Sequence, residues 1–213
     1  MASCWRFLPA AAMDEVAAHI DIPRRFDRQS GKLGGMTDGR NGQRTLVLLR
    51  HAKAEQSADG PDAERSLTAR GHADAAAAGA WLARQGLLPD VVLCSPARRT
   101  RQTWHDVAMG MTGSPPEGGP AGSRPAVRYE AAAYDAHPDQ LLDLVRTVEP
   151  TAGTVLLVAH NPGVSLLSAL LDPQRADPDG LRTTDLVVHR PTTRWADLAP
   201  GGAPLTARHT ARA

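Results

Sequence analysis

Cysteine is nearly absent from this 213-residue chain. Cys4 and Cys94 alone cannot build a disulfide scaffold, and they leave no Cys-x-x-Cys pair for zinc or redox chemistry. No apolar run approaches the roughly 20 residues that cross a bilayer, which excludes a membrane-spanning helix. An excess of charge is missing too. The 24 Lys+Arg stand against 23 Asp+Glu, a formal net charge of +1, so wholesale electrostatic capture of nucleic acid or anionic lipid is not expected. Lysine is scarce: of the 24 basic residues only Lys32 and Lys53 are lysine. Arginine suits bidentate phosphate recognition, so the positions of the arginines matter more than their number. His19, His72, His105, His137, His189 and His209 show no spacing of metal ligands. These absences point to a protein of a reducing compartment, expected in the cytoplasm, with no resident metal or cofactor.

What remains is ordinary globular material. The length fits one domain with an ample core, and 42% hydrophobic residues argue against global disorder. Residues 1–43 lack a core pattern and run into the Gly-rich stretch Gly31–Gly42. They read as a disordered N-terminal extension, with Met36 as an alternative start, and residues 44–213 as the folded domain. Within it, Thr45–Leu49, Asp90–Cys94 and Thr154–Ala159 are short continuous apolar runs, as expected of buried parallel strands. Ala126–Tyr129 and Asp185–His189 read as further strands. Helices are expected over 69–85, closed by Gly86, over 97–109 with Ser95 as cap, over 137–148 and over 164–171. The Gly- and Pro-rich residues 110–126 read as a long loop, and the segment after His189 as an irregular tail holding Trp195. Strand and helix alternate, so the expected fold is an α/β three-layer sandwich with a mostly parallel sheet between helices.

In open α/β sheets ligands bind beyond the carboxyl ends of the strands. Here those ends carry Arg50-His51, then Cys94-Ser95 with Arg98-Arg99 one turn further, and His160. Two imidazoles and one or two guanidinium forks around one point describe a pocket for a tetrahedral dianion. Phosphoryl transfer needs mainly charge stabilisation and in-line positioning, and a neutral imidazole can act as its nucleophile. Nothing in that scheme requires a metal.

The segment Leu48-Leu49-Arg50-His51-Ala52-Lys53-Ala54 resembles the Arg-His signature of the histidine phosphatase superfamily, also called phosphoglycerate-mutase-like. The resemblance is closest to its small SixA-like branch of phosphohistidine phosphatases. Further blocks follow in the family's order: Arg65-Ser66-Leu67-Thr68-Ala69-Arg70-Gly71, then Ser95-Pro96-Ala97-Arg98-Arg99-Thr100-Arg101-Gln102-Thr103, then Val158-Ala159-His160-Asn161-Pro162-Gly163, and an ending at Trp195–Gly201. Together they cover about residues 44–213.

The resemblance implies a metal-independent phosphatase that forms a covalent phosphohistidine on His51. Arg50 and Arg99 would bind the phosphoryl oxygens, and His160 would be the second pocket histidine. Larger family members add an acidic residue that protonates the leaving oxygen. Glu130 lies in about the right region, before Tyr134-Asp135, and is the candidate here. The lack of a motif around it fits a phosphohistidine substrate, because imidazole, with a reference pKa of about 6.5, leaves more readily than an alkoxide. Ser57, Asp59 and Asp62 follow the nucleophile on a loop and could touch substrate, although the default for a loop is solvation. The expected partner is a phosphorylated protein or small molecule, not nucleic acid or membrane, met by a monomer. Two alternatives stay open: a small-molecule phosphomonoesterase or mutase of the same superfamily, and a phosphate- or phosphopeptide-binding module without turnover.

Overall fold

A strand with a continuous apolar run must be covered on both faces, and β1 (Thr45–Arg50), apolar from Leu46 to Leu49, is. Leu46 and Leu48 enter one apolar layer, while Val47 and Leu49 enter the other; all four are at most 1% exposed. The computed structural model describes residues 44–56, 60–113 and 125–213. The expected extension over 1–43 with Met36, the loop residues Ser57 and Asp59, and residues 114–124 lie outside the described residues.

Six strands form one sheet in the order β3-β2-β4-β1-β5-β6. β2 (Val91–Cys94), β3 (Ala126–Tyr129) and β4 (Thr154–Ala159) join β1 in parallel pairings, and β5 (Asp185–His189) and β6 (Leu205–Thr210) add an antiparallel margin. On one face pack α1 (Ala69–Arg84) and α2 (Arg98–Thr112), through Ala75, Ala78, Leu82, Trp104 and Val107. On the other pack α3 (Pro138–Arg146) and α4 (Gly163–Leu171), through Leu141, Val145, Val164, Leu167 and Leu171. The result is the three-layer α/β sandwich expected from the sequence. Each fully buried Leu or Val contributes roughly 1.5–3 kcal/mol of transfer free energy, so the two apolar layers fix the sheet between its helices. No helix among the described residues is long and apolar enough to cross a membrane.

Three local expectations change. The tail is not irregular throughout: β6 pairs antiparallel with β5 from Asp185↔Thr210 to His189↔Leu205. Ser95 does not cap α2. The cap is Ala97, without a side-chain hydrogen bond of its own; the Ser95 hydroxyl lies 2.8 Å from His160 Nε2 and accepts only a long contact, 3.5 Å, from Ala97 N–H. The loop expected from residue 110 begins later, since α2 continues to Thr112 and closes on Gly113, whose φ of 71° is left-handed.

Candidate active site

The sheet order decides which side chains meet. β4 lies between β1 and β2, and the ladder continues one residue past the strand ends: His51 N–H donates to Ala159 O at 3.1 Å and Ser95 N–H to Val158 O at 3.1 Å. His160 therefore stands between His51 and Ser95, with the two imidazole centroids 5.2 Å apart. Two close backbone approaches hold the surrounding loops. A Cβ on Gly71 would lie 2.1 Å from Lys53 O, so α1 seats on the chain just beyond the nucleophile candidate. A Cβ on Gly163 would lie 2.1 Å from Ala136 O, so α4 seats on the loop that carries Tyr134 and Asp135. Only glycine permits either contact.

These residues line a cavity of about 540 Å³ that brings together Arg50, His51, Arg99 and His160, with Lys53, Asp62, Arg65 and Tyr134 beside them. His51 is 9% and His160 7% exposed. Burial, reinforced by the charges of Arg99 and Arg50, pushes the His51 imidazole down to about 4. Burial, then His51 and Arg99, pushes His160 down to about 3. Both rings are neutral at pH 7. His51 Nδ1 lies 2.8 Å from the Ala52 carbonyl, which can only accept, so Nδ1 carries the hydrogen and Nε2 the lone pair. Ser95 Oγ lies 2.8 Å from His160 Nε2.

The arginines complete the polar floor. Arg50 Nη1 donates to Leu181 O at 2.8 Å, and burial lowers its pKa. Arg99, 5% exposed, gives Nη1 to Asp62 O at 2.6 Å and Nη2 to Asp62 Oδ2 at 2.8 Å. Asp62 also accepts from Arg65 at 2.8 Å and from the Tyr134 hydroxyl at 2.7 Å. Those bonds, Arg65 first and Tyr134 next, hold its carboxyl well below the usual carboxylate range. The Tyr134 phenol is raised by the same bond. Three buried nitrogens of this cavity have no hydrogen-bond partner among the described residues: Arg50 Nε, Arg99 Nε and His160 Nδ1. Buried polar groups are normally satisfied, and a cavity lined by Arg50, Lys53, Arg65 and Arg99 beside a neutral imidazole suits an acceptor-rich anion.

Glu130 does not join them. Its Oε1 accepts from Arg128 Nε at 2.8 Å, and it is not among the residues lining the cavity. Arg128, two positions earlier on β3, captures the carboxylate instead. Asp62, named from the sequence as a loop residue that could touch substrate, is a half-exposed wall of the cavity. Tyr134 was missed: its ring meets His160 edge-on at 5.4 Å and lies 5.8 Å from the Arg99 guanidinium carbon. No sequence spacing announces either residue. The Tyr134-Asp135 pair was visible only as neighbours of Glu130.

Cys94 is 0% exposed, and burial pushes its thiol up to about 12, so it is a core residue rather than a nucleophile.

Residues 46–117 match the model of the histidine phosphatase superfamily, branch 1. An uncharacterized protein of Mycobacterium tuberculosis strain H37Rv is 33% identical over 172 residues, covering 77% of this chain and all of the relative. A SixA protein of Nakamurella multipartitia, assigned as a phosphohistidine phosphatase, shares 35% identity and a TM-score of 0.64 over 81% of this chain and 98% of its own. Another such SixA protein, from Agrobacterium tumefaciens, shares 25% identity and a TM-score of 0.64 over 78% and 97%. On the strength of these matches and of a sheet that carries its Arg-His pair into a basic cavity, the chain belongs to the histidine phosphatase superfamily, in its SixA-like branch.

Proposed function

We propose that the protein is a phosphatase that takes the phosphoryl group from phosphohistidine, or from a similarly activated donor, onto His51. The observation that carries this reading is the fixed tautomer of His51: a neutral ring, hydrogen committed to Ala52 O, lone pair on Nε2, in a cavity with three unpartnered buried nitrogens. Nε2 attacks phosphorus as the bond from phosphorus to the substrate's leaving atom breaks. Arg50 and Arg99 stabilise the equatorial oxygens where charge accumulates. With the Ser95 hydroxyl donating to Nε2, His160 carries its proton on Nδ1 and gives a neutral hydrogen bond to the same oxygens. Water then attacks phospho-His51, releasing inorganic phosphate and restoring the neutral imidazole.

The leaving group is the basis for the substrate class. Asp62 is locked as an anion by Arg65, Tyr134 and Arg99, Glu130 stands outside the cavity, and Asp135 lines it with its side chain exposed to solvent. None has the burial that holds a proton on a general acid. A phosphohistidine ring that already carries a proton on its other nitrogen leaves as neutral imidazole, whose conjugate acid has a reference pKa of about 6.5, and needs no donor at the breaking bond, whereas an alkoxide does.

The test is an assay of the full chain with EDTA present, comparing a phosphohistidine peptide, p-nitrophenyl phosphate and an alkyl phosphate. The wild type is expected to cleave the first two at least 100-fold faster than the third. It should accumulate a phosphoramidate on His51 visible by phosphorus NMR, and His51→Ala should abolish both. Turnover by His51→Ala at the wild-type rate would refute the covalent route.

A further inference from the structure

Arg99 carries a second partner problem that the phosphoryl chemistry alone does not solve. Both of its terminal nitrogens are taken by one residue, Asp62: Nη1 by the main-chain oxygen at 2.6 Å and Nη2 by Oδ2 at 2.8 Å. Its Nε is the buried nitrogen without a partner. The other carboxylate oxygen of Asp62 accepts from Arg65, whose Nε is itself fixed on Glu55 O at 2.8 Å. Oδ2 also accepts from the Tyr134 hydroxyl. One carboxylate thus joins the segment that follows the nucleophile, the first turn of α2 and the loop after β3.

An anion in a cavity meant to attract anions works against binding by charge alone. Nor does stability account for it, because the Asp62 side chain is 51% exposed and exposed ion pairs contribute little. What the contact does supply is geometry: the long arginine side chain would otherwise have to be immobilised at each turnover.

We propose that Asp62 is a positioning residue for phosphoryl transfer, acting through Arg99 by holding one N–H of each terminal nitrogen, so that the guanidinium keeps a single orientation beside the cavity. The assignment rests on the phosphatase reading above and gives that site the means by which its second arginine is set.

The experiment is a double-mutant cycle on the full chain: Asp62→Ala, Asp62→Asn, Arg99→Gln and Asp62→Ala with Arg99→Gln. The readouts are p-nitrophenyl phosphate kinetics, calorimetric binding of inorganic phosphate, and Tm. Asp62→Ala is expected to lower kcat about 10- to 100-fold and weaken phosphate at least threefold, with Tm within a few degrees of the wild type. Asp62→Asn, which keeps an acceptor for Arg99, is expected to recover part of kcat, and it serves as the variant to read if the alanine protein does not fold. In the Arg99→Gln background, Asp62→Ala should change kcat by less than twofold. A kcat unchanged on Asp62→Ala, phosphate bound more tightly, or losses that multiply in the double variant would each overturn the assignment. A wild type that binds phosphate but turns nothing over would fault the phosphatase reading and overturn the assignment with it, whereas an active wild type whose kcat survives Asp62→Ala would overturn the assignment alone.

Discussion

Arg50 and Arg99 face the same cavity but are held by opposite means. Arg50 ends a central strand and donates to a main-chain carbonyl, Leu181 O. That carbonyl also accepts from Asn161 Nδ2 at 2.8 Å, Asn161 Oδ1 accepts from the Ser165 hydroxyl at 2.6 Å, and Ser165 Oγ accepts from Leu181 N–H at 2.8 Å. Three residues further on, Thr184 N–H reaches both Arg50 O and His51 O, at 3.2 and 3.3 Å. Thr184 does so with φ of 64°, a left-handed conformation that costs a β-branched residue of order 1–3 kcal/mol. Arg99 has no such backbone cradle on its terminal nitrogens beyond Asp62 O, and depends on a carboxylate that is half exposed. One wall of the cavity is therefore part of the fold. The other is assembled from side chains, and it should be the easier to disable without touching stability.

Removing the arginines themselves gives the largest expected effect and the same sign on both walls. Charge-assisted hydrogen bonds contribute about 1.5–3 kcal/mol each, so the loss of one or two in the transition state predicts a fall of roughly 10–10⁴ in kcat/KM for Arg50→Ala and for Arg99→Ala. The walls part in what is left behind. Arg99→Ala leaves Asp62 with Arg65 and Tyr134 still donating, and Arg50→Ala leaves Leu181 O with Asn161. Steady-state kinetics on p-nitrophenyl phosphate check the prediction. An Arg50→Ala variant within tenfold of wild type would remove Arg50 from phosphoryl binding and collapse the comparison.

Acid is the second probe, because the two histidines between the walls are pushed down by burial and by the cations on both sides. Their folded values, about 4 for His51 and about 3 for His160, lie below the reference of about 6.5 that applies when the chain unfolds. The unfolded state therefore binds protons below pH 6.5 that the folded state refuses, and stability falls as pH drops from there toward 4. The slope is up to about 1.4 kcal/mol per pH unit for each such group. Buried His189, lowered in the same direction by burial, adds to it. Thermal unfolding is expected to be flat between pH 7 and 8 and to lose several degrees by pH 5, with saturating phosphate restoring part of the loss. A Tm that does not move between pH 7 and 5 would show that the rings are not held neutral.

The same contrast explains what the sequence disclosed. Arg50, His51 and His160 were legible because a run such as Thr45–Leu49 or Thr154–Ala159 has one folded solution, a buried strand, and the rule for open α/β sheets then says where its end points. Arg99 was legible from its block beside Ser95-Pro96. The places of Asp62 and Tyr134 in the site were not, since they arise only when loops after β1 and β3 meet over α2, a tertiary event with no local pattern. Ser95 was read as a helix cap because serine before a helix usually is one; its hydroxyl goes to His160. β6 escaped for a different reason. Leu205-Thr206-Ala207-Arg208-His209-Thr210 is an edge strand of which only Leu205 is buried, so the alternation that marks a strand is faint.

The smallest expected effect tests the backbone-held wall from behind. Ser165 does not line the cavity and touches Arg50 only through Asn161 and the Leu181 peptide. Ser165→Ala removes the hydroxyl from that ring but leaves the Leu181 carbonyl, the Arg50 bond to it and the Thr184 contacts in place. Ser165 Oγ makes two neutral hydrogen bonds, worth about 0.5–1.5 kcal/mol each, so Tm should fall by about 2–12 °C for a chain of this size. The kcat should fall less than tenfold, short of the loss expected from Asp62→Ala. A wall built from main chain spreads the loss of one side chain over several remaining bonds, whereas a wall hung on a single carboxylate does not. If Ser165→Ala matched or exceeded Asp62→Ala in kcat while Tm barely moved, the Leu181 carbonyl would owe its place to Ser165, and the two arginines would be held alike.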